Sequence, residues 1–227
     1  MSLRTKTAVL LLASLALTAC TATGPRTPYG RFMEARANPG KVVATELAFA
    51  RAAQEDGQWT AFAEYAADGG LIFGRNGAIE AKPWLKAQEN PPAAVQWEPH
   101  RVWSSCDGSL AVTQGGFVDP EGQVGTFNTV WQRQADGEYR WVFDFGYPQD
   151  EAPVKPEMIA SSVANCDQRL AGPAVEQGAR VSTSQDGTLA WSFHFVGEGE
   201  RRYDVWLAGE EGWEQVVDVN LAGDRSE

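Results

Sequence analysis

Basic residues are scarce in this chain, with 19 Lys plus Arg against 30 Asp plus Glu in 227 residues and a net charge of −11. No cluster of Lys or Arg interrupts that balance, so a phosphate backbone would be repelled, and nucleic acid is excluded as a partner. Histidine and cysteine are scarcer still. Two lone histidines, His100 and His194, and cysteines about 60 residues apart give none of the short ligand spacings that metal sites use. There is no Gly-rich phosphate loop, no Gly-x-Ser-x-Gly elbow and no His-Glu-x-x-His helix, which sets aside the nucleotide, serine-hydrolase and zinc-protease chemistries and leaves no cofactor implied. No apolar run reaches the roughly 20 residues that a membrane-spanning helix needs.

The longest apolar run, Ala8 to Leu17, follows Arg4 and Lys6 and precedes the small residues Thr18 and Ala19, the layout of a secretory signal peptide over residues 1–19. Leu17-Thr18-Ala19-Cys20 resembles the lipobox of bacterial lipoproteins. The resemblance implies cleavage before Cys20, a diacylglycerol on its thiol alongside fatty acid such as palmitate, and a periplasm-facing domain held to the cell envelope. Thr21 in the next position favours the outer membrane over the inner one. Cleavage takes two of the basic residues and none of the acidic ones. With Cys20 lipidated, Cys106 and Cys166 remain as an even pair in an oxidising compartment, and a disulfide between them is expected; two free buried thiols are the alternative.

Residues 20–38 carry Gly24, Pro25, Pro28 and Gly30 without a periodic apolar face and read as a flexible tether. Asn38-Pro39 then supplies a helix cap and a first-turn proline, and Val43, Leu47, Ala50 and Ala53 recur at helical spacing up to Gly57. A second short helix carries Trp59, Phe62, Ala63 and Ala66 and stops at Asp68-Gly69-Gly70. A short strand, Leu71 to Phe73, the turn signal Asn76-Gly77 and a third helix around Pro83, Trp84 and Leu85 complete this half. From about residue 95 the period changes to two. Runs over 95–105, 109–118, 123–134 and 138–146, divided by Asp-Gly and Pro-Glu-Gly turns, predict an antiparallel meander. Helices first and sheet second describe an α+β domain over residues 39–146, with the helices on one face of a curved sheet.

Several stretches carry a family likeness: the helix with Glu46-Leu47 and Phe49-Ala50, the segment Gly57 to Phe73, the Trp84 helix, and Thr129-Val130-Trp131 followed by Asp136-Gly137-Glu138-Tyr139-Arg140-Trp141-Val142. In these the chain resembles the NTF2-like superfamily, particularly its SnoaL-like and DUF4440 branch. That resemblance implies a cone of helices and sheet whose interior holds a small apolar ligand in the enzymes, and often a homodimer paired through its sheets. It does not fix an activity, because the superfamily spans isomerases, cyclases, dehydratases, transport factors and many proteins with no known activity. Residues 147–157, with Pro148, Pro153 and Pro156, read as a linker, and 158–227 as a second, antiparallel β-rich part that extends the sheet surface and, too small to be stable alone, is expected to pack against the first domain with Cys106 and Cys166 as the staple. Asp186-Gly187-Thr188-Leu189-Ala190-Trp191 echoes Asp107-Gly108-Ser109-Leu110-Ala111-Val112, either as a decayed repeat of the meander or as ordinary hairpin grammar.

Within the cone the candidate proton-transfer group is Asp144, since a carboxylate in an apolar cavity has a raised pKa and can act on an acidic carbon. Strict alternation puts Arg140, Val142 and Asp144 on one strand face and Tyr139, Trp141 and Phe143 on the other, so Asp144 points inward only if the sheet turns near its end. His100 is a candidate relay. Tyr65, Trp84, Trp97, Asn128 and Trp131 are candidate pocket residues; Tyr65 could donate to an oxyanion, the indoles could stack a flat ligand, and Asn128, like Gln114, could line the cone. No carboxylate pair with a tyrosine falls into an isomerase-like set. The reading is therefore an envelope lipoprotein whose domain binds a small apolar ligand or another envelope protein without catalysis. The alternatives are a SnoaL-like or ketosteroid-isomerase-like enzyme and a structural scaffold with a filled cone.

Overall fold

A computed structural model describes residues 36–168, 170–197 and 199–223; the signal segment, Cys20 and nearly all of the tether lie outside them. Asn38 caps helix α1 (Pro39–Asp56) by accepting from the Lys41 amide at 3.0 Å, with Pro39 in the first turn. Gly57, at φ 100°, ends it and opens α2 (Gln58–Tyr65). The buried stripe of α1 is Val42, Glu46, Phe49 and Ala53, whereas Leu47 is exposed. The helix is thus turned about one residue from the expected face, because a glutamate occupies a core position that an apolar pattern cannot reveal.

Strand β1 (Ala66–Gly74) follows α2 without a break and absorbs Asp68-Gly69-Gly70 as an irregularity between Ala66 and Leu71 rather than as a helix stop. It turns into β2 (Gly77–Glu80), then α3 (Ala81–Lys86). The meander follows where the period-two runs placed it: β3 (Gln96–Ser104), β4 (Leu110–Val118), β5 (Val124–Arg133) and β6 (Tyr139–Pro148). β1 lies parallel to β6 at one side and β7 (Ala160–Val163) parallel to β3 at the other, giving a seven-stranded sheet in the order β2-β1-β6-β5-β4-β3-β7. The three helices cover one face, packing Val42, Phe49, Ala61 and Leu85 on Val102, Ala111, Trp131 and Trp141.

The remaining strands, β8 (Arg180–Thr183), β9 (Leu189–Gly197), β10 (Glu200–Ala208) and β11 (Trp213–Leu221), do not extend that sheet. They form a separate four-stranded sheet, β11-β10-β9-β8, stacked on the face opposite the helices. Phe73, Phe143, Phe145, Val112 and Val130 of the first sheet meet Leu189, Trp191, Phe193, Tyr203 and Val217 of the second. The packing of this second part against the first has a simple cause: the outer face of β1 and β6 is as aromatic as the inner one and must itself be buried. Only β7 adds to the first sheet.

The two sheets repeat one plan. Strand order β6-β5-β4-β3 matches β11-β10-β9-β8, and each has a register shift at the same Val-Trp pair, Val130/Trp131 and Val205/Trp206. The turns at the head of β4 and β9 are built alike. Ser105 and Ser184 donate to Asp107 and Asp186 at 2.7 Å in both, and each aspartate accepts the amide two residues on. These turns also clasp each other reciprocally: the Cys106 amide donates to Thr188 Oγ1 at 2.9 Å, and the equivalent Gln185 amide donates to Ser109 Oγ at 3.0 Å. The exchange is reciprocal, so the second sheet repeats the plan of the meander and docks on the first through equivalent turn residues. It covers the sheet face through which the resemblance implied a homodimer.

Cys106, in the first of these turns, is disulfide-bonded to Cys166, just beyond β7. The bond closes 60 residues of chain and joins the start of the second sheet's approach to the turn that docks it. Replacing both cysteines by alanine is expected to cost about 4 kcal/mol, from the loop entropy returned to the unfolded chain. Denaturant unfolding measures it, and an unchanged midpoint would contradict a constraining role.

Candidate functional site

Between the helices and the first sheet lies a cavity of about 200 Å³, lined by Phe49, Gln58, Phe62, Val95, Trp97, Phe117, Phe127, Asp144 and Gly146. Its walls come from six elements: α1 gives Phe49, α2 gives Gln58 and Phe62, and β3 to β6 give Trp97, Phe117, Phe127 and Asp144. Phe49 packs edge-on against Phe62 and Trp97, with ring centres 4.8 and 4.9 Å apart, which fixes one side of the cavity. The space itself depends on small residues. A Cβ at Gly115 would fall 1.9 Å from the Glu98 carbonyl and 2.8 Å from the Phe127 ring, so only glycine lets β3 and β4 approach here.

Asp144 reaches this cavity because β6 carries an extra residue. Val130 of β5 faces Phe143, but the next residue, Trp131, faces Trp141, so Val142 is bulged out. A bulge reverses the alternation beyond it. Tyr139 and Trp141 point to the helices; Phe143 and Phe145 point to the second sheet; Asp144 and Gly146 therefore return to the helix side. Of the two orientations that alternation left open, the bulge selects the inward one.

Asp144 Oδ2 accepts from Thr129 Oγ1 at 2.9 Å. It is half-buried and lines the cavity. Burial among aromatic rings pushes its pKa up to about 7, against the lowering effect of the Thr129 hydrogen bond, and the negative charge of Glu46 adds to the rise. Thr113, Thr129 and Asp144 stand in one row across β4, β5 and β6. At the Thr113 end of that row sits Glu46, fully buried, accepting from Thr113 Oγ1 at 2.6 Å, Trp97 Nε1 at 2.8 Å and Trp131 Nε1 at 3.0 Å. Burial raises its pKa too, opposed by these three donors. Glu46 therefore holds the Trp97 indole against the cavity. Composition gave it no prominence; its signal was a stripe at 42, 46, 49 and 53, as regular as the one read from Val43 and interrupted by a single acid.

The other sequence candidates lie elsewhere. His100 sits at the register shift of β3, lining a groove with Glu98, Gly116, Pro153 and Lys155 rather than the cavity of Asp144, and burial lowers its pKa. Over that groove, Lys155 of the expected linker pairs with Glu98 at 2.6 Å. Tyr65 stacks on Phe49 at 5.2 Å and faces a different hollow beside Lys41 and Arg140. Trp84 packs on Trp59 at 5.2 Å, outside the cavity lining. Asn128 is buried and accepts from Gln114 Nε2 at 2.9 Å, both on the rows that alternate away from Phe127 and Thr129, so neither lines the cone. Trp131 is buried behind the wall. Only Asp144 and Trp97 are brought together in the cavity, though Trp131 shares Glu46 with Trp97.

No family model and no curated protein matches the chain. Solved structures do. A ketosteroid-isomerase candidate from Parabacteroides distasonis is 16% identical, covering 52% of this chain and 97% of its own, with a TM-score of 0.39. Nuclear transport factor 2 from Cryptosporidium parvum is 11% identical over 50% of this chain and 98% of its own, at a TM-score of 0.37. Delta 5-3-ketosteroid isomerase from a Mycobacterium species is 15% identical over 47% and 92%, at 0.35. Likeness at this level transfers no activity; the cavity has to be read from its own side chains.

In the folded chain Asp144 holds its proton up to about pH 7, whereas the unfolded chain releases it near the ordinary carboxylate value. Its contribution to stability is thus full below the ordinary value of 3.8 and is lost progressively as pH rises from there through about 7. Asp144→Asn keeps an acceptor for Thr129 and cannot ionise. Its melting temperature should gain about 5 °C on the wild type between pH 5 and pH 8; a difference that does not change between these pH values would contradict a buried carboxylate.

Proposed function

We propose that this protein is a small-ligand-binding domain of NTF2-like form, carried at the cell envelope by a lipid on Cys20, and that its ligand occupies the aromatic cavity with Asp144 as its one titratable contact. The observation that supports this most is the cavity itself, with aromatic walls on helices and strands and a single carboxylate turned into it. A scaffold would have a filled cone. Its volume of about 200 Å³ suits a ligand of one ring with a short substituent; an apolar cavity of about 150 Å³ already takes benzene.

Asp144 also favours a second reading, proton transfer on a small carbonyl compound, since a group titrating at about 7 can give or take a proton at neutral pH. That chemistry needs a donor facing the developing oxyanion. Besides the Trp97 indole, which donates to Glu46, the one other polar side chain in the lining among the described residues is Gln58, whose Oε1 accepts from the Val95 amide at 3.0 Å and which leaves a single neutral amide, its Nε2, as a donor. With so little to stabilise an oxyanion, binding without catalysis is the better account.

Titrating a neutral one-ring probe, benzyl alcohol, should shift the Trp97 indole N–H resonance, and Gly146→Leu should abolish the shift. A Cβ at Gly146 has its nearest neighbour at 3.7 Å, so a side chain there enters the cavity without a clash at its root. No response of Trp97 at millimolar probe would reject the binding reading. The envelope address rests on the Arg4/Lys6, apolar-run and Leu17-to-Cys20 pattern. Metabolic labelling with palmitate should mark the wild-type chain and leave Cys20→Ser unlabelled; equal labelling of both would remove Cys20 as the anchor.

A further inference from the structure

The cavity's charge and its walls do not match for a neutral ligand. Five rings, Phe49, Phe62, Trp97, Phe117 and Phe127, surround a carboxylate, and no Lys, Arg or His lines the space among the described residues. Asp144 receives one side-chain hydrogen bond, from Thr129, where an ionised carboxylate has room for several donors. Behind Trp97, Glu46 places a second buried carboxylate, and its three donors are all neutral groups: one hydroxyl and two indole N–H. An ionised carboxylate away from water is costly unless a positive partner meets it, and the described residues supply none at this site.

We propose that the ligand is a small organic cation, a primary ammonium on a one-ring frame, and that it brings the missing charge to Asp144. The inference rests on the cavity being a ligand site and names what that ligand carries. Ring faces attract a cation through their quadrupole, so the walls and the carboxylate act in the same direction. An anionic ligand meets two buried carboxylates and no base. A neutral alcohol satisfies one acceptor position and leaves the charge uncompensated. The ammonium fills more than one acceptor position on Asp144, while its ring packs among Phe49, Phe62 and Phe127. The acidic surface, at a net charge of −11, raises the local concentration of such cations.

Benzylamine, benzyl alcohol and benzoate share a ring and differ in charge, and their binding to the full-length chain can be compared by calorimetry at pH 8, where Asp144 is ionised and the amine protonated. Benzylamine is expected to bind at least ~10-fold more tightly than benzyl alcohol, with no detectable benzoate binding. Asp144→Asn should remove the amine's advantage while leaving benzyl alcohol binding in place, and Gly146→Leu should block both. Benzyl alcohol or benzoate binding as tightly as the amine would overturn the cationic ligand and leave the cavity reading intact. Amine binding that survives both Asp144→Asn and Gly146→Leu would be attraction to the acidic surface and would overturn the proposal. Failure of all three probes to bind would overturn the cavity reading together with it.

Discussion

One extra residue in a strand decides what this cavity contains. Without the bulge at Val142, Phe143 would continue the inward face of Tyr139 and Trp141, the cone would fill with phenylalanine, and Asp144 would be driven against the second sheet. With it, the same six residues serve two layers. Phe143 and Phe145 go to the inter-sheet core, and Asp144 and Gly146 go to the cavity. The corresponding shift at Val205/Trp206 in the second sheet shows that the bulge belongs to the repeated meander and not only to the site. It is a device of the fold that the site uses.

The second sheet makes the cavity's floor firm. Phe143 stacks on Tyr203 with ring centres 5.4 Å apart and planes 7° from parallel, directly behind the strand that carries Asp144. The clasped turns and the disulfide lock the two sheets at one end, where β4 begins. On the other side, Glu46 ties α1 to β3, β4 and β5 through Trp97, Thr113 and Trp131. A buried acid with three donors fixes orientation more than it adds stability, and replacing it would leave those donors unpaired. Its position also adds to the negative potential at Asp144. Packing and electrostatics are therefore set by the same side chains.

The order of elements was legible in the sequence, because capping at Asn38-Pro39, the change of period near residue 95 and the Asp-Gly turns are local signals. The echo between residues 107–112 and 186–191 was legible too, but not the reciprocal hydrogen bonds through which the two turns dock. What could not be read was tertiary. Nothing at Val142 marks a bulge, so the face of Asp144 stayed open. Glu46 interrupts an apolar stripe, so the pattern points to a neighbouring helix face and hides the site's second carboxylate. Tyr65, Trp84 and Asn128 have the right chemistry for a pocket, but the direction of their side chains depends on the neighbouring element, which no single residue encodes. Trp97 lines the cavity as a half-buried indole on an inward row, held there by Glu46.

The most direct test of the account is the titration of the Asp144 carboxyl carbon by NMR in the ligand-free protein, with Asp144→Asn assigning the signal. A carboxylate turned into an aromatic cavity by the bulge titrates with a midpoint near 7. A midpoint near the ordinary aspartate value, roughly 4, would mean that the side chain meets bulk water, and the cavity, its bulge and the ligand inferred from them would fall together.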